Sequence, residues 1–146
     1  MLERDENFTL LQIAAYAGCE KPFAKAMEPQ IGKLPQQAGL AIDGVLKTGP
    51  RQYWLFGKHA AVPADLGAAC DLSQSRVRLT LEAPEAWKRL MGAMPVDLDP
   101  AIFKLNAFAL TGIHHTPVLL WRTGDTRYEI FVLRTFARSV EEWLRS

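Results

Sequence analysis

The chain has 146 residues, 49% of them apolar, with 17 Lys and Arg nearly cancelled by 16 Asp and Glu. That balance gives none of the strong positive field by which proteins gather nucleic acid or anionic lipid, and no stretch approaches the roughly 18 apolar residues of a membrane span. The opening MLERDENF is charged from its third residue, unlike a signal peptide, and Cys19 and Cys70 lie far apart with no CxxC spacing; a cytoplasmic chain with two free thiols is expected, a single disulfide being the alternative.

In chain order, TLLQIAAY predicts a strand with Leu11, Ile13 and Ala15 on one face. A helix is expected to begin near Glu20-Lys21-Pro22, carrying Phe23, Ala26, Met27 and Ile31 on one side, with Gly32 placed to stop it. GVLKTGPRQYWLFG predicts two short strands about a Gly49-Pro50 turn. From Gly57 to Ser75 the pattern fades into an Ala-rich connector, broken at Pro63 and Gly67, with room for one helical turn. RVRLTLE, Arg76 to Glu82, alternates strictly and predicts a half-buried strand. Pro84 then opens a helix whose stripe is Trp87, Leu90, Met91 and Met94, with Gly92 placed for a left-handed cap.

Downstream, LNAFAL and TPVLLWR predict two strands joined through Thr111 to His115, and RYEIFVLR a third strand covered on both sides. Thr135 is placed to cap a last helix with the stripe Phe136, Val140, Trp143 and Leu144. The second half thus reads β-α-β-β-β-α, and the first half is a weaker copy of that order. The fold class is α+β: antiparallel sheets with helices on one face, in two plait-like units within one domain. The first lobe spans about 8–72 and the second about 73–146.

Chemistry-bearing residues are sparse. His114 and His115 are adjacent in a turn and His59 lies in the connector, so exposure is the simpler reading than a metal ligand or a base. Neither Cys has a neighbouring base, and neither phosphate loops nor a nucleophile elbow occur. Asp97 and Asp99, in PVDLDP, are read as turn formers rather than as an acid–base pair, and Glu141 and Glu142 as a solvated helix face. RQYWLF lacks the glycines and basic flanks of an RNA-stacking motif. No catalytic, cofactor-binding or metal-binding residue is assigned. Trp54 and Trp121, in otherwise apolar strands, are the candidates for a partner interface, since a large indole with a polar donor suits such a boundary.

Three stretches resemble the gamma subunit family of heterotetrameric sarcosine oxidase. GPRQYWLFG (49–57) is similar to the family's G-P-D-E-W-L-L. The segment from Asp71 to Phe103 follows the pattern D-x-S-x-x-R, strand, G-P-x-A, helix, C-P-x-D-L-H-P-x-x-F. Thr116 to Leu144 is similar to A-P-V-L-L-x-R, a Y-x-L-x-V strand, R-S-F-A and W-x-W-L. Two family positions differ, the Cys being Met94 and the His being Asp99, and the connector at Val62 to Ala69 is short for the helix usual there.

This resemblance implies an accessory subunit, without a cofactor of its own, of a flavoenzyme that demethylates sarcosine to glycine and passes the one-carbon unit to tetrahydrofolate. FAD, FMN, NAD and tetrahydrofolate are then expected on alpha, beta and delta partner subunits. The resemblance also implies a fold similar to folate-binding aminomethyltransferases, which use a strand carboxylate after a glycine turn. The comparable turn here, GIHHTPVLLWR from Gly112 to Arg122, contains no acid. A stand-alone folate or small-ligand binding domain of that fold is the alternative, and an RNA-binding plait a remoter one.

Overall fold

The computed structural model describes residues 1–146, which divide into two compact units: Asn7–Ser73, and a second built from Met1–Glu6 with Gln74–Ser146. The chain opens on β1 (Leu2–Asp5), an unpredicted strand that belongs to the second unit. Its sequence LERD has no alternation to betray it. What makes it a strand is its partner, since Leu2 lies opposite Leu81 and Asp5 opposite Arg78.

In the unit Asn7–Ser73, β2 (Leu10–Ala15) is followed by α1 (Glu20–Ile31), β3 (Val45–Gly49), β4 (Gln52–Phe56) and β5 (Gly67–Asp71). They form an antiparallel sheet in the order β3-β4-β2-β5. Leu11, Ile13 and Ala15 point, as their spacing predicts, at Phe23, Met27 and Ile31 of α1, and Tyr53 and Leu55 complete that core. Gly32 ends α1 at φ 83°, donating its amide to the Glu28 carbonyl.

The expected connector instead contains β5. Ala68, Ala69 and Cys70 are small and exposed, so this edge strand carries no periodic signal; its pairing with β2 creates it. Gly67 makes that pairing sterically feasible: a Cβ there would lie 2.2 Å from the Ala14 carbonyl oxygen and 3.0 Å from the Phe23 ring. Gly67→Ala is therefore expected to cost about 3 kcal/mol, the upper end for overpacking. A urea midpoint within error of wild type would refute this contact.

In the second unit, β6 (Arg76–Glu82), α2 (Ala86–Met91), β7 (Phe108–Ile113), β8 (Thr116–Arg122), β9 (Arg127–Leu133) and α3 (Ala137–Arg145) follow in the predicted order. The antiparallel sheet runs β1-β6-β9-β8-β7. Val77, Leu79 and Leu81 join Ile130 and Val132 under the helical residues Leu90, Val140 and Leu144. Both helices sit on this face, which is why β6 alternates so cleanly.

Boundaries differ from expectation in four places. Helix α2 is shorter and buries Ala86 and Leu90, leaving Met91 exposed and Trp87 only partly covered. Gly92 is right-handed (φ −65°), because the backbone tightens into a turn that returns its amide to Arg89 and Leu90. Strand β7 continues to Ile113, so only His114 and His115 form the hairpin turn, at φ 47° and 71°. Two consecutive positive φ values match the right-handed twist of the flanking strands. Thr135 does not cap α3; a 3-10 turn over Arg134–Phe136 precedes the helix, and Phe136 is exposed. That turn is held by Arg134, whose amide donates to Ser75 O at 2.9 Å and whose Nε donates to Gln74 O at 2.9 Å.

Arg4 ties β1 to α3. Its Nε donates to Glu6 Oε2 and its Nη1 to Glu141 Oε1, both at 3.0 Å, while Arg134 also bonds Glu6. Glu141 is thus not simply part of a solvated face, since Arg145 holds its other oxygen at 3.0 Å. The Arg4 guanidinium is the main reason both carboxyls lie below their ordinary value of 4.5; Arg134 assists at Glu6 and Arg145 at Glu141. A carboxyl with a depressed folded pKa contributes stability above its unfolded pKa and loses it as pH falls through the folded value. The stability advantage of wild type over Arg4→Ala should therefore be full above pH 4.5 and shrink toward zero below it. Denaturation midpoints collected from pH 7 to pH 2 check this, and a constant difference throughout would contradict it.

Candidate functional site

Strand alternation gives the five-stranded sheet a second face, away from its helices, on which a polar cluster stands beside the buried Leu119, Trp121 and Phe131. Antiparallel register sets Thr80 of β6, Glu129 of β9 and Trp121 of β8 side by side in one row. Glu129 is 1% exposed, yet both of its oxygens are satisfied. Oε1 accepts from Thr80 Oγ1 at 2.9 Å and pairs with Arg78 Nη1 at 3.1 Å; Oε2 accepts from Thr123 Oγ1 and Arg127 Nε, each at 3.0 Å. Arg78 also reaches Asp5 Oδ2 at 3.2 Å, so the network runs from β1 to the β8–β9 turn.

Glu129 escapes the sequence pattern because it sits in the apolar run YEIFV, and Arg78 and Thr80 fall on the polar side of the alternating β6. The available signal was complementarity: a lone acid in a doubly covered strand must find cations and hydroxyls on the strand beside it. Arg122 plays a similar part nearby. It is buried, and donates from Nη1 to Phe103 O at 2.9 Å and from Nη2 to Asp125 O at 2.8 Å. Both groups are bound by the chain's own atoms, so they fasten turns and strands together.

The residues singled out from sequence are scattered. Asp97 Oδ1 accepts the Asp99 amide at 3.0 Å, and Asp99 Oδ1 accepts the Ala101 amide at 2.9 Å, making two successive Asx turns. His114 and His115 are exposed, and the His114 ring meets the edge of Trp143 at 5.0 Å, with the Arg89 guanidinium 4.8 Å from the same indole. His59 is exposed on its own loop, Cys19 and Cys70 are free thiols, and no cluster of three or more His, Cys, Asp or Glu is placed to hold a metal. Asp71 and Ser73, of the D-x-S-x-x-R pattern, form a local clasp. The Asp71 carboxylate accepts the Ser73 amide at 2.9 Å, and Ser73 Oγ accepts the Leu10 amide at 2.8 Å. Hydrogen bonding from Ser73 holds the Asp71 carboxyl below its usual range.

Trp54 and Trp121, the candidates for a partner interface, do not share a sheet. Trp54 lies in the four-stranded sheet and Trp121 in the five-stranded one. Alternation puts Trp54 between Gln12 and Leu46, with its indole N–H on Gln12 Oε1 at 3.1 Å, and Trp121 between Phe108 and Glu129. At 6% and 7% exposure they offer almost no surface. Among the exposed large apolar side chains of the second unit are Ile102 and Leu105, on the loop into β7, and Leu110 on β7 itself, an edge strand.

A cleft of about 620 Å³ opens in the first unit beside α1, lined by Lys21, Lys25, Lys33, Lys47 and Arg51 above Phe23 and Tyr53. Burial pushes the Tyr53 phenol up from its ordinary pKa.

Fold and side-chain geometry together define an α+β chain in which the buried Glu129 and Arg122 are bound within its own architecture. No family model matches it. The chain is 32% identical over 136 residues to the sarcosine oxidase subunit gamma of Corynebacterium sp. strain P-1, across 84% of this chain and 67% of that protein. It is 30% identical over 138 residues to the subunit of the same name from an Arthrobacter species, across 90% and 68%. Its structure superposes on a chain of the heterotetrameric sarcosine oxidase from Corynebacterium sp. U-96, solved with pyrrole 2-carboxylate, with a TM-score of 0.84 and 29% identity. That match covers 99% of this chain and 80% of the other. The chain belongs to the sarcosine oxidase gamma subunit family.

Proposed function

We propose that the chain is a non-catalytic accessory subunit of a heterotetrameric, cytoplasmic flavoenzyme that oxidatively demethylates sarcosine, or a related N-methyl amino acid, to glycine. In this reading alpha, beta and delta partners hold FAD, FMN, NAD and tetrahydrofolate, and one of them transfers the one-carbon unit to the folate. The observation that carries the reading is the match along 99% of the chain to a chain of such a heterotetramer. The burial of Glu129 and Arg122 is consistent with it, since both are hydrogen-bonded to the chain's own groups.

Purified alone, the chain is expected to be colourless and to show no saturable tetrahydrofolate binding by calorimetry. Stoichiometric folate binding by the isolated chain would favour a ligand-binding domain over an accessory subunit.

A further inference from the structure

We infer that the cleft beside α1 docks an acidic segment of a partner subunit, an inference that rests on the accessory-subunit reading. The unit Asn7–Ser73 contains six Lys and Arg and five Asp and Glu. Five of those six cations line the one cleft, but only two of the acids, Glu20 and Glu28, do so. A near-neutral unit thus gathers a surplus of three positive charges around one cavity.

The chain itself does little to neutralise them. Lys47 donates to the Gln36 carbonyl at 3.2 Å, and no carboxylate forms an ion pair with Lys21, Lys25, Lys33 or Arg51. Glu20 is turned to the Gly18 amide, which it accepts at 2.8 Å. Like charges so gathered repel one another and raise the local concentration of anions, and an anionic partner relieves the repulsion.

The form of the cleft selects the kind of anion. Small-ligand sites are mostly apolar cavities in which a few fixed polar groups converge. Here the charge is carried on long side chains, four of them exposed, with Phe23 and Tyr53 buried beneath. Such a rim suits a solvated run of Asp and Glu with an apolar residue or two pointing inward.

Amine acetylation of the assembled complex, compared with the free chain, tests the assignment together with zero-length carbodiimide cross-linking of lysine to carboxylate. Lys21, Lys25 and Lys33 should be protected on assembly and cross-linked to Asp or Glu of a partner, while Lys58 and Lys88 stay reactive. The triple variant Lys21→Glu, Lys25→Glu, Arg51→Glu should weaken assembly by on the order of tenfold or more at low salt, and Arg138→Glu on α3 should not.

A complex that forms with the cleft lysines as reactive as in the free chain overturns the docking site and leaves the accessory reading standing. Protection that dialysis abolishes, without cross-links, identifies a small anion and overturns the peptide assignment. Failure of the chain to enter any complex overturns both.

Discussion

Glu129→Ala is expected to destabilise the chain by about 3–5 kcal/mol, the usual cost of removing one member of a buried ion pair. The carboxylate has no contact with solvent to lose, and four donors converge on it from β6, β9 and the β8–β9 turn. Its removal strands the Thr80 hydroxyl, itself 4% exposed, and leaves the Arg78 guanidinium paired with Asp5. Glu129→Gln keeps the shape and one acceptor oxygen, so about 1–3 kcal/mol is expected there. For a chain of this length the larger change lowers Tm by roughly 10 °C. Calorimetry or urea unfolding decides it, and a Glu129→Ala stability within about 1 kcal/mol of wild type would mean that the network contributes little.

The second large effect separates burial from docking. Trp54→Ala and Trp121→Ala should each cost about 3–5 kcal/mol through the cavity they leave, because each indole is at least nine-tenths covered. Any loss of assembly in these variants should follow the loss of fold. Leu110→Asp combined with Ile102→Asp changes side chains that are 57% and 64% exposed. It should leave unfolding midpoints nearly unmoved while reducing assembly with partner subunits, as expected when exposed apolar groups on an edge strand form an interface. If the tryptophan variants fold like wild type yet fail to assemble, the original assignment of Trp54 and Trp121 to the interface is restored.

The legible parts of the sequence were those where one face of an element alone decides its pattern. Arg76 to Glu82 alternates because one side meets α2 and α3, and Phe23, Met27 and Ile31 recur because one side of α1 meets β2. Strands defined by a neighbour were illegible: β1 is a strand because β6 is beside it, and β5 because β2 is. Glu129 was hidden for the same reason: Arg127 lies two residues upstream on its own strand, but Arg78 lies 51 residues upstream, and only register brings it alongside. The tryptophans were seen as large and apolar, but nothing local distinguishes a buried indole from one at an interface. The cleft cations are spread over thirty-one positions from Lys21 to Arg51, and only the packing of α1 beside β3 and β4 gathers them.

Gentle affinity capture of the tagged chain from its native cells, followed by an absorption spectrum and subunit masses, tests the accessory-subunit reading most directly. The expected result is a stoichiometric complex with larger subunits and a flavin band that remains with them when the chain is stripped off. A solitary, colourless chain from cells grown on N-methylated amines would contradict it.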